Sequence, residues 1–464
     1  MNTVYIIALI IYLVIFIAIS IMDAKKSKDF SDYAVAGRLQ GSFAVTMTLL
    51  ATMIGASTTI GICDTVYSIG FPGIWWLAFG AIGLILQSVL ISEKVRSTEA
   101  ATLPDLAGIT VGRSAEVIIA LIIVISWVGV IAGQLVAMNS LISFALGRNS
   151  NVIFIIVAAA VLLYTILGGQ TSVVKTDKLQ FIVIAVSMIL CCGYLYIVQK
   201  DTSGNVINNI ELINENYRPL NLVNQFFVIG GVFFLGPDII SRNFISKNKE
   251  TAKKSALIAG IGLFVFSLFI TFIGMWIRYN VTPEELGSSK ALMYIAGTLP
   301  KYISIPLIFG LLSAILSSTD TCIINASTIF VKDILKKENT LYIRIAVAVI
   351  GILSMILALS GRGDIMSLLT GAYSVYTPGV IFPLLIAILC YKKRDIRKGL
   401  WLAAVITGGA FGIAGTYFAP LLQALPIPAL ILDNLTLVGM GLSLILSLLS
   451  MKIDDTGDGS TVTS

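Results

Sequence analysis

The sequence predicts an all-α polytopic membrane protein, and three observations predict it. Of 464 residues, 57% are hydrophobic and only 12% are Asp, Glu, Lys or Arg, about half the charged fraction of an ordinary soluble chain. Mean hydropathy is +0.95. The apolar residues fall in long runs that recur along the whole chain between charged, Gly and Pro punctuation. A spanning helix takes ~20 apolar residues, so roughly 13 of them almost exhaust the hydrophobic supply and leave no sizeable soluble domain.

Thirteen spans follow in order. The first, 3–22, has neither the basic start nor the small-residue cleavage site of a signal peptide. Gly70 and Pro72 separate the second, 42–67, from the third, 73–91. The fourth, 117–146, lies between Arg113 and Arg148; Gly168 and Gly169 close the fifth, 152–167; Gln180 and Lys200 flank the sixth, 181–198. Charged residues bound the seventh, eighth, ninth and tenth, at 222–240, 256–277, 303–330 and 345–359. Asp364 and Lys392 bracket the eleventh, 365–390, and 400–417 and 435–450 complete the set. With the N-terminus outside, the loops assigned to the inside hold roughly three times the Lys and Arg of those outside, as the positive-inside rule requires. The C-terminus is then inside. The expected localisation is the cell membrane, inner or plasma, crossed many times.

Composition also excludes functions. There is no histidine, so His-based acid-base catalysis and the commonest transition-metal ligand are missing. The five cysteines sit in apolar runs without CxxC spacing and read as core residues. The net charge of +6 is scattered over inter-helix loops, which is no nucleic-acid surface. The polar tail after Lys452 is too short for a signalling module, and no obligate protein partner is inferred.

Two spans are interrupted. The second clusters Gly, Ser and Thr between Ala51 and Gly61; the seventh runs Ile229-Gly-Gly-Val-Phe-Phe-Leu-Gly-Pro-Asp238. Backbone unwound at bilayer depth survives only where it lines a cavity or a site, and paired breaks five spans apart mark an inverted-repeat transporter. Close packing of small residues is the competing explanation. The ninth span carries Ser313-Ala-Ile-Leu-Ser-Ser-Thr-Asp-Thr-Cys322, a dense set of oxygens of the kind a hard cation takes. Of the acids within spans, Asp64 lies near an outer end. Asp177 is flanked by Lys175 and Lys178 at an inner edge, and Asp320 stands beside the hydroxyl run. Asp238 and Arg242, four apart, read as an ion pair on a helix surface at the inner membrane edge.

Four stretches together resemble the sodium:solute symporter family, whose members carry proline, pantothenate, sugars and other small solutes. They are Leu50-Ala-Thr-Met-Ile-Gly-Ala-Ser57 with Tyr67-Ser-Ile-Gly70; Gly168 to Gln180; Asp238-Ile-Ile-Ser-Arg242; and Ala314-Ile-Leu-Ser-Ser318, continuing to Asp333. The resemblance implies the leucine-transporter-type fold of two inverted five-helix repeats. Residues 1–40 would form an extra helix and the first inner loop, 41–198 the first repeat, and 199–220 an outer loop. The second repeat would be 221–390, with two helices and a short tail at 391–464. It further implies sodium bound by the carbonyls of Ala51, Ile54 and Ala314 and the hydroxyls of Ser317 and Ser318. Asp177 matches an acid on the release path or at a second cation site, with Asp320 and Thr321 standing where some members place small hydroxyl residues. Ser57, Thr58, Gln134, Gly231 and Tyr373 are the expected substrate contacts. The pair Trp75 and Trp76 makes a poor sugar pocket.

The function expected is sodium-coupled secondary import of a small organic solute, an amino acid or carboxylate, by alternating access, with Na⁺ as coupling ion. A proton-coupled carrier of the same fold is the first alternative, and a membrane-embedded enzyme acting on lipid is the second.

Overall fold

The computed structural model describes residues 2–24, 29–198, 206, 210–422, 426 and 428–452. Lys25, Lys26, Lys28 and Lys200, much of the expected outer loop, and the tail beyond 452 lie outside the described residues. Among those described there is no strand. Nine helices are long and apolar enough to cross a membrane, or ten if one bent pair is a single span.

The main helices are α1 (Asn2–Ala24), α2 (Ser42–Met53), α3 (Ile62–Ile69), α4 (Trp75–Leu90), α5 (Arg113–Leu146) and α6 (Asn151–Val198). They continue with α7 (Gly231–Leu235), α8 (Pro237–Ile245), α9 (Lys249–Asn280), α10 (Lys301–Ile329), α11 (Thr340–Leu359), α12 (Ile365–Cys390), α13 (Lys398–Tyr417) and α14 (Leu435–Leu449). Helix α10 lies at the centre, packed on α6, α5, α11 and α2. That position explains its hydroxyl-rich sequence: from Leu311 to Ile329 every side chain is buried, so its polar groups meet protein rather than lipid. Outward faces elsewhere are apolar, as on α11, where Leu341, Val349, Ile352 and Ile356 are exposed.

The break expected at Gly168 and Gly169 is present: the backbone of Gly169 is non-helical and divides α6 into two helices, the second of which starts ahead of the expected Phe181, so that 170–180 is helical. At Gly169 φ is +62°, and a Cβ would lie 2.6 Å from the ring of Tyr33, so only glycine fits. Asp177 projects into the core from the helix that follows this break and is fully buried.

Both interrupted spans are broken as expected. Helix α2 ends at Met53, and the chain resumes through a wide turn, Ser57–Gly61, into α3 at a bend of 61°. Helix α7 stops at Gly236, whose backbone is extended, and Pro237 opens α8 at a first-turn position where its missing amide costs nothing. Side chains satisfy the carbonyls that the second break exposes: Tyr376 donates to Leu235 at 2.6 Å and Gln87 to Phe234 at 3.2 Å.

Candidate functional site

The first break and the middle of α10 meet. The Gly55 amide, which in an unbroken helix would serve Ala51, instead donates to Thr58 Oγ1 at 2.7 Å, while Thr58 donates onward to the Met53 carbonyl. This frees the Ala51 carbonyl from its helical bond. A Cβ on Gly55 would stand 2.4 Å from Ser318 Oγ and 3.0 Å from Gln134 Nε2, so the absence of a side chain permits this approach. Ser318 donates to the Thr52 carbonyl at 2.8 Å, and Ser317 donates to Asp177 Oδ1 at 2.6 Å. Each serine oxygen keeps lone pairs for a cation. The freed Ala51 carbonyl, the two hydroxyls and the Asp177 carboxylate are all oxygen donors of the type hard cations take.

The residues expected at a second cation position divide. Asp177 Oδ2 accepts from Thr48, and the guanidinium of Arg242 lies 3.2 Å from the same oxygen. That Arg242 nitrogen is also 2.7 Å from Thr321 and 2.6 Å from Thr52. Asp177 and Thr321 therefore meet at a protein cation. Asp320 turns the other way, accepting from Tyr164 at 3.2 Å, and its Oδ1 has no hydrogen-bond partner. The expected surface pair of Asp238 and Arg242 is corrected. Arg242 is fully buried and reaches only the Asp238 main-chain oxygen, at 3.3 Å. Partners on neighbouring helices take each side chain instead: Thr48, Thr52, Asp177 and Thr321 for Arg242, Trp127 and Asn325 for Asp238.

Beside the sodium-type cluster lies a cavity of about 30 Å³. Ser57, Thr58, Gln134 and Tyr373 line it, together with Ser318, Gly55 and Asp238. Gln134 Oε1 accepts the Ala56 amide at 2.9 Å, holding the broken backbone to α5. Gly231 stands apart, packed against Ile381 and Thr377. Sequence reasoning missed Asp238, Trp127 and Asn325 as one cluster: Trp127 donates to both Asp238 oxygens at 3.0 and 2.8 Å, and Asn325 donates to Oδ1 at 3.2 Å. A signal was present, because Trp127 lies seven residues, two helical turns, before Gln134 and so shares its face.

The model of the sodium:solute symporter family matches residues 33–408. The chain belongs to that family. A curated relative of this symporter-family chain is the osmoregulated proline transporter OpuE of Bacillus subtilis (strain 168), 25% identical over 438 residues, covering 87% of each chain. The high-affinity choline transporter 1 of Caenorhabditis elegans is 23% identical, covering 85% of this chain and 75% of its own. Among solved structures, a Na⁺-coupled sialic acid symporter in a substrate-bound outward-open state shares the fold with a TM-score of 0.73 at 16% identity, covering 97% of this chain and 98% of its own. A nucleobase-cation-symport-1 family transporter in a closed conformation gives 0.62 at 13% identity, covering 90% and 93%. The family member described here is thus a multi-pass membrane transporter and not an enzyme.

Proposed function

We propose that the protein is a sodium-coupled symporter that imports a small organic solute, an amino acid or carboxylate, by alternating access. The supporting observation is the contact of the helix break at Gly55 with Ser318, whose hydroxyl donates to the Thr52 carbonyl beside a cavity that Ser318, Gly55 and Thr52 line. In this reading Ala51, Ile54, Ala314, Ser317 and Ser318 hold Na⁺, which draws the broken helix onto α10. Ser57, Thr58, Gln134 and Tyr373 face the solute, and Asp177 passes the ion inward. The architecture is thirteen spans in two inverted five-helix repeats, N-terminus outside. A cavity of about 30 Å³ holds about one water, so the lining separates to admit a solute, as alternating access requires. The Bacillus subtilis relative, named for proline, favours an amino acid.

The test is uptake into proteoliposomes under an imposed Na⁺ gradient at constant pH, with the amino acids as solutes. Accumulation that follows the gradient is expected; uptake indifferent to Na⁺ would end this reading. One observation favours the proton-coupled alternative: Asp320 is fully buried with an oxygen lacking any hydrogen-bond partner, as a proton-accepting group would be. A pH gradient at fixed Na⁺ separates the two, since it drives uptake only in the second case.

A further inference from the structure

Among the described residues, Asp238 is the acid that lines the cavity. It is 8% exposed, whereas Asp177 and Asp320 are at 0%. Its two oxygens accept from Trp127 Nε1, Asn325 Nδ2 and Cys322 Sγ, the last at 3.3 Å. Donors thus meet both carboxyl oxygens, an arrangement that suits the anionic form. All three donors are neutral. Arg242 is engaged by Asp177, and among the described residues no Lys or Arg side chain forms an ion pair with Asp238. A charge buried without an opposite charge is costly, and this one is aimed where a solute would sit. Aromatic rings flank the same corner: Trp127 and Tyr373 have centroids 6.4 Å apart, and Trp76 lies 6.5 Å from Tyr373. Trp127 meets the carboxylate with its N–H edge while Tyr373 lines the cavity with Asp238, and a positively charged nitrogen placed there gains from the carboxylate and from an aromatic ring.

We infer that Asp238, with Trp127 and Tyr373, receives an ammonium group of the transported solute. The solute is then an amine-bearing molecule, and simple carboxylates are excluded. This inference rests on the symport reading and narrows its substrate class. Trp127 also acts as a positioning residue, because its indole N–H fixes the carboxylate that the ammonium meets.

The experiment uses the full-length protein, with thermal stabilisation for binding and Na⁺-driven uptake in proteoliposomes for transport. The probes are the twenty amino acids, choline, and isosteres that lack the charged nitrogen: cyclopentanecarboxylate for L-proline and 3,3-dimethyl-1-butanol for choline. At least one ammonium-bearing probe is expected to bind and be carried in Na⁺ while the isosteres stay inert. Asp238→Asn should weaken that binding about ten- to a hundredfold, and Asp238→Glu should recover part of it. The midpoint for Na⁺ stabilisation without solute should hold in both variants, showing that they are folded. Equal binding of a charge-free isostere, equal affinity in Asp238→Asn, or silence of every ammonium-bearing probe while Na⁺ still binds would overturn the inference. Uptake of carboxylates alone under the Na⁺ gradient would sink it yet leave symport standing. Loss of all Na⁺ dependence in the unmodified protein would instead end the symport reading.

Discussion

Ser318 gives its proton to a main-chain oxygen of the broken helix, and Ser327, nine residues on, has a buried hydroxyl with no partner. Removing each hydroxyl therefore tests position rather than polarity. Ser318→Ala is expected to raise the half-activating Na⁺ concentration far more than Ser327→Ala, read from uptake against Na⁺; equal values would contradict the ligand assignment. Asp177 and Arg242 form a pair with both side chains wholly buried. Asp177→Asn leaves the guanidinium without its charged partner, at a cost of about 3–5 kcal/mol. Adding Arg242→Gln is expected to restore much of the stability, and a strictly additive loss would show that the two are not coupled. In the folded fraction of Asp177→Asn, turnover should slow while solute affinity holds; lost binding alone would argue against a role in ion exit. The serines and Asp177 were legible in the sequence because they fall in a dense polar run and a matching motif. Arg242 was not, since four-residue spacing from Asp238 describes a helix-surface pair equally well.

The break between α2 and α3 depends on one residue without a side chain. Gly55→Ala would push a methyl group into Ser318 and Gln134, an overlap expected to cost about 1–3 kcal/mol and to weaken both Na⁺ and solute binding. Gly41→Ala, where nothing lies within 4 Å, is the control. Thermal unfolding in Na⁺ compares them, and an unchanged Gly55→Ala would mean that the break is looser than drawn. At the start of α12, Asp364 accepts the Ser367 amide at 2.7 Å and Ser367 Oγ accepts the Asp364 amide at 2.9 Å. The Ser367 amide holds the Asp364 carboxyl below its usual range. Because folding favours the charged form, this cap contributes fully above the ordinary Asp value near 3.9 and is lost as pH falls through the lower folded value. Asp364→Ala is expected to cost about 1 kcal/mol at neutral pH, and the gap from the unmodified protein should shrink in acid. A gap that widened in acid would mean that folding favours the protonated form of Asp364. The helix breaks, the one at Gly169 included, could be read from Gly and Pro placement, whereas the helicity of 170–180 could not, because a polar stretch reads as a loop until its burial is known.

Across the whole molecule, the distribution of Lys and Arg sets the proposed orientation. A cysteine introduced as Glu284→Cys, in an exposed segment after α9, should react with an impermeant maleimide added outside intact cells. Lys393→Cys, exposed after α12, should react only once the membrane is opened. The five native cysteines are buried and give little background; the opposite labelling pattern would invert the topology. By itself the sequence determined that this chain lives in a bilayer, that two spans break, and that hydroxyls cluster within the ninth span. These are local properties, carried by apolar run length, proline and glycine chemistry, and residue spacing along one helix. Only the tertiary structure decided which acid faces which cation. Asp177 meets Arg242 across 65 residues and Asp238 meets Trp127 across 111, and such pairings depend on how helices are rotated and packed, which no periodicity within a single helix encodes.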